Sequence, residues 1–135
     1  MSVLVKINPK KVEDYNYLGG RSRNFLKGPF PTMKDVFMMA VAYGFKNDKE
    51  KSLPKPPHDL FREDVFSQQD IAVLTALYIS KHGMTIDESI TDIEKVIRQA
   101  EKWAEGGFSL LRQNTMGDGD QDNIFSMVDL INEFV

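Results

Sequence analysis

The sequence predicts an all-α fold, a compact bundle of four to five helices with a short N-terminal arm or strand. Three observations predict it. Apolar residues recur at i, i+3 and i+4 in several long segments, the stripe of a helix that packs on one face. Most of these segments open on a capping residue or close on glycine. Only around Val3, Val5 and Ile7 does an alternating pattern appear, and an isolated strand is not stable without a partner. The 135 residues suit one domain, 1–135, with residues 1–16 as an arm and 46–57 as a Pro/Lys-rich loop.

The elements follow in order. Pro9 suits the first turn of a short helix to about Leu18, with Asn8 as N-cap and Gly19-Gly20 as its stop. Thr32 and Asp35 have capping-box spacing ahead of Met33, Val36, Phe37, Ala40, Val41 and Gly44. Met38, Met39 and Ala42 widen that stripe almost all round, so this helix should be the most buried. In the connector Lys46–Pro57, Pro54, Pro56 and Pro57 forbid helix and central strand. His58–Phe66 is read as a lead-in that returns large apolar residues to the core. Ser67, with Asp70 three residues on, caps a helix carrying Ile71, Leu74, Leu77 and Tyr78. Gly83 closes it after Lys81 and His82, which suit the negative end of its dipole.

The longest helix is expected from about Ile90, on Ile93, Val96, Ile97, Ala100, Trp103 and Ala104, with Asp92 and Glu94 in its first turn. Gly106-Gly107 then interrupts the pattern. Glycine inside a helix costs about 1 kcal/mol against alanine, so either the helix breaks there or another backbone crosses close by. Phe108, Leu110 and Leu111 resume the apolar pattern. An Asp-rich turn leads to a final amphipathic helix, 123–135, on Ile124, Met127, Val128, Ile131 and Phe134.

Composition narrows the function classes. Hydrophobic content of 41% and charged content of 27% are those of a globular protein. There is no cysteine, which excludes disulfides, thiolate metal sites and thiol catalysis. The apolar run at the N-terminus is too short for a signal peptide, and Val36–Phe45 is far below the roughly 20 residues that span a bilayer. A cytoplasmic protein with no membrane contact is the expectation. The net charge of −3 hides a split. Residues 1–55 carry 11 Lys+Arg against 5 Asp+Glu, and residues 56–135 carry 6 against 15. Such asymmetry either marks a polyanion-facing end or is neutralised within the fold or across a homodimer.

Three constellations could carry chemistry. In "GGRSRNFLK", backbone N–H groups, Arg21, Arg23 and Lys27 could grip phosphates, with Lys6, Lys10 and Lys11 extending the patch if they share its face. The stretch has neither P-loop nor dinucleotide-fold spacing, so a polar interhelix loop is the plainer reading. Asp118, Asp120, Asp122 and Asp129 fall at positions 1, 3, 5 and 12 of a calcium loop. Position 6, however, is Asn123 rather than Gly, and position 12 is Asp rather than the longer Glu. The alternative is an Asp-rich turn that caps the last helix. His58 and His82 lack a nucleophile or metal-ligand pattern around them. No catalytic residue and no cofactor is expected.

Three segments, taken together, carry a resemblance: "GPFPTMKDVFMMAVAYGFKNDKEKSLP", "REDVFSQQDIAVLTALYISK" and "AEKWAEGGFSLLRQ". The chain resembles the dnd system-associated protein 4 family, small accessory proteins encoded beside the genes for DNA phosphorothioation. The matching positions are Gly28, Pro29, Phe30, Asp35, Val36, Phe37, Ala40, Gly44 and Phe45, then Asp64, Val65, Phe66, Ala104, Gly107 and Leu111. Trp103 stands where the family pattern has Tyr. Residues 1–16 and the Asp-rich turn lie outside the resemblance. It implies a phage-defence or restriction context and a larger protein partner from a DNA-modification complex, and it brings no catalytic residue. The resemblance makes "GPF" a structural lead-in to the helix after it and leaves "GGRSRNFLK" free to touch DNA or a partner.

Overall fold

The computed structural model describes residues 3–19, 32–83 and 92–116. Within them lie a two-stranded sheet and four helices, which makes the protein mostly α as expected. Strand β1 is Leu4–Ile7. A 3-10 turn, Pro9–Lys11, runs into α1, Val12–Leu18. The Asn8 side chain accepts from the Lys10 N–H, 2.9 Å away, and so caps the turn. Helix α2 is Met33–Lys46, β2 is His58–Arg62, α3 is Gln68–His82 and α4 is Ile93–Met116.

Strand β2 corrects the sequence reading, which placed no strand there. It pairs antiparallel with β1, and the register slips between Val5 and Lys6. Val5 faces Phe61 and Lys6 faces Asp59, so Leu60 is the extra residue of a β-bulge. The bulge lets Leu60 and Phe61 both pack against the core, and it erases the alternation by which a strand is recognised.

The caps fall where the spacing put them. Asp35 N–H donates to the Thr32 hydroxyl oxygen. Ser67 and Asp70 complete a reciprocal box at 2.9 and 3.1 Å. Such a cap contributes about 1 kcal/mol. Gly83 closes α3 in the left-handed region, at φ 65°.

Helix α4 starts at Ile93, later than expected. Asp92 is therefore its cap, accepting from the Lys95 N–H at 3.2 Å, rather than a first-turn residue. The glycine pair does not break it. A second backbone crosses there: a Cβ on Gly107 would collide with the Ala40 carbonyl and the Gly44 amide, and one on Gly44 with the Trp103 carbonyl. A Cβ on Gly106 would strike the backbone of Lys49 and Glu50. Helices α2 and α4 thus meet backbone to backbone, and this contact organises the core.

Around it, α2 buries Met33, Val36, Phe37, Ala40, Val41 and Tyr43. Helix α4 answers with Val96, Ile97, Ala100, Trp103, Phe108 and Leu111. Phe37, Phe61 and Phe66 form an aromatic cluster, with ring centroids 5.2 to 6.0 Å apart, that joins α2 to the sheet. Tyr15 packs edge-on against Phe108 at 4.5 Å, which seats α1.

Candidate functional site

Helix α4 carries buried polar side chains along its flank, and these decide what its surface can do. Glu101 and Glu105 are 4% and 8% exposed. Lys6 N–H donates to Glu101 Oε2 at 2.7 Å, Asn8 Nδ2 to Glu105 Oε2 at 2.8 Å, and Lys11 Nζ to Glu105 Oε1 at 2.9 Å. Arg98 pairs with Glu101 and reaches the Leu4 carbonyl at 3.1 Å. Residues 4–11 are therefore stitched to α4. Burial pushes the Glu101 carboxyl above its usual range, against the pull of Arg98 and the Lys6 N–H.

A second seam holds the Pro/Lys-rich connector. Lys49 N–H donates to the Gly44 carbonyl at 2.8 Å, and Lys51 N–H to the Lys102 carbonyl at 3.0 Å. Glu50 accepts from Gln99 Nε2 at 2.9 Å and from Lys81. Those hydrogen bonds, Gln99 first and Lys81 next, hold the Glu50 carboxyl below its usual range.

The two seams leave a groove between them. A hollow of about 510 Å³ is lined by Lys6, Leu53, Pro54, Lys55, Arg98 and Lys102, with Glu101 in its lining. A neighbouring hollow of about 440 Å³ shares Arg98 and Lys102, and adds Tyr78, His82, Asp92, Glu94 and Lys95. Arg98 and Lys102 stand one helical turn apart and form the common wall. In the second hollow, Asp92 and Glu94 offset the cations, pairing with Lys95 at 3.8 Å and Arg98 at 3.5 Å. In the first, Lys6, Lys55 and Lys102 make no salt bridge among the described residues. Lys102 still lies near enough to Glu50 to lower its pKa slightly.

A second surface lies on α3. Its inner side buries Leu74 and Tyr78. Its outer side presents Gln69, Ala72, Val73, Ala76 and Ser80, a face with no charge. Val73 is 44% exposed, as is Val65 at 48% in the turn before the helix.

Of the residues singled out in the sequence, Lys10 is exposed in the 3-10 turn. Lys11 spends its ammonium on Glu105 and lies 5.6 Å from the centre of the Phe108 ring. Arg21, Arg23 and Lys27 lie outside the described residues, as do Asp118, Asp120, Asp122 and Asp129 and the last expected helix. Among the described residues, no group of three His, Asp or Glu side chains is placed to hold a metal. No helix among them is long and apolar enough to cross a membrane. His82 stacks on Tyr78 at the end of α3, with ring centroids 4.3 Å apart, and His58 is an exposed strand residue. Sequence reasoning missed the groove. Its signal was Lys95, Arg98 and Lys102, spaced i, i+3 and i+7 on one face of α4.

Comparison with curated proteins and with solved structures gives no match. Comparison with protein-family models gives one that spans residues 13–133, and so takes in α1 to α4 and the crossing of α2 with α4. That match covers most of the chain, and the chain belongs to the DNA sulphur modification system-associated protein 4 family.

Proposed function

We propose that this protein is a single-domain, non-catalytic accessory factor that binds a larger protein of a DNA sulphur modification system, in a phage-defence or restriction setting in the cytoplasm. Family membership supports the association with that system. The observation that carries the binding mode is the outer face of α3. An uncharged helix face, with Ala72, Val73 and Ala76 in water and Val65 exposed just before it, suits burial against another protein.

The test is co-expression with each protein of the same sulphur-modification locus, followed by co-purification. We expect one of them to co-purify with the wild-type chain. Val73→Glu, which places a charge in the face without touching the core, should abolish capture and leave the melting temperature unchanged. Capture of the same protein by Val73→Glu and by Val65→Glu, undiminished, would overturn this reading, and so would no capture by the wild-type chain.

A further inference from the structure

We propose that the groove walled by Lys6, Lys55, Arg98 and Lys102 binds the phosphate backbone of a nucleic acid without reading its sequence. Three features of the groove carry this. First, the charge is uneven. The hollow at the Lys6 end is lined by four cations and one carboxylate, Glu101, which is buried and committed to Arg98 and the Lys6 N–H. At the other end Asp92 and Glu94 answer the cations, so the site belongs to the Lys6 end.

Second, the lysine ammoniums are available. Lys6, Lys55 and Lys102 make no salt bridge among the described residues, while Lys11, Lys34 and Lys81 are each held by a carboxylate. The cations also come from three separate segments: β1, the connector and α4. The backbone of β1 is tied to α4 at Lys6, and that of the connector at Lys51, so these cations project from a held frame. A backbone of repeated phosphates can meet such a spread of charges at several points at once.

Third, the rest of the lining is Ser52, Leu53, Pro54, Pro56 and Pro57, so beyond the charged groups a single hydroxyl is the one side chain there that could meet a base edge. Contacts would go to phosphate, which positions a nucleic acid but carries no sequence information. An acidic protein surface is the competing occupant.

The experiment is fluorescence anisotropy with a labelled 20-base-pair duplex across about 50 to 200 mM salt, the range over which counterion release is read. Each neutralised phosphate contributes a slope of about −0.9 to the log–log plot, so the three lysines predict a slope near −3. Lys102→Gln should make it shallower by about 1, whatever the duplex sequence. Lys6→Gln, Lys55→Gln and Lys102→Gln combined should bring it close to zero. Circular dichroism checks that each variant is folded. If Lys6→Gln disturbs β1, the pair Lys55→Gln and Lys102→Gln should still remove about 2 from the slope.

No binding at 50 mM salt would overturn the proposal, as would a slope unchanged in the combined variant. So would binding of poly-glutamate, lost in that variant, with none of the duplex. Val73→Glu should bind the duplex like the wild-type chain, which separates this site from the α3 face.

Discussion

Glu101 is a charged residue in the middle of a helix, and its ordinary place would be in water. Here it is 4% exposed because the β1 edge lies over it and needs an acceptor for the Lys6 N–H. Removing that acceptor leaves a buried donor unpaired and strips Arg98 of its nearest carboxylate. We expect Glu101→Ala to cost about 2–3 kcal/mol in urea unfolding. Glu101→Gln keeps an acceptor for Lys6 and removes a carboxylate that burial already disfavours, so it should cost less than half as much. The residue scale also shows what a sequence can disclose. Asn8, Thr32, Ser67 and Gly83 declare themselves because their partners lie within four residues. Glu101, Glu105 and the groove cations do not, because the groups brought beside them come from β1, the 3-10 turn and the connector, far along the chain.

Among the elements, the α2–α4 contact is set by what is missing from it. With Gly44 and Gly107 lacking side chains, the two helices approach until backbone touches backbone. The obstacle to a larger residue is therefore main chain, which cannot swing aside as a flexible side chain can. We expect Gly107→Ala to destabilise by about 3 kcal/mol, the upper end for overpacking, against the small gain that alanine brings to an exposed helix position. Thermal unfolding followed at 222 nm would show it. The glycine pair was legible as a choice between a break and a crossing, and packing decided for the crossing. Strand β2 was not legible, because the bulge at Leu60 turns two successive apolar residues toward the core. A strand so written has no period of two.

For the molecule as a whole, the basic first half and acidic second half meet within the fold. Lys11 with Glu105, Lys34 with Asp70 and Lys81 with Glu50 are three such pairs, two of them joining early lysines to late carboxylates. Glu50 sits below its usual pKa through Gln99 and Lys81. At Asp70 burial pushes upward, but Lys34 and Ser67 together outweigh it and leave the carboxyl low. A lowered folded-state pKa stabilises above the unfolded value and loses that stability as pH falls through the folded one. Glu101 has the opposite sign, and its raised pKa favours the folded state toward acid. With two groups against one, the melting temperature should fall below about pH 4. Glu50→Gln should flatten part of that decline. If the chain is one domain, the decline should appear as a single cooperative transition by both circular dichroism and tryptophan fluorescence, since Trp103 lies in the core.

The stitching of the first strand to α4 has a further consequence during synthesis. Lys6 meets its acceptor 95 residues later, and Asn8 meets Glu105 after 97. A growing polypeptide that has not yet released Glu105 from the ribosome can hold β1 only through β2, and a two-stranded sheet by itself is marginal. The α4 side of β1 must wait, uncovered, until nearly all of the described fold has emerged.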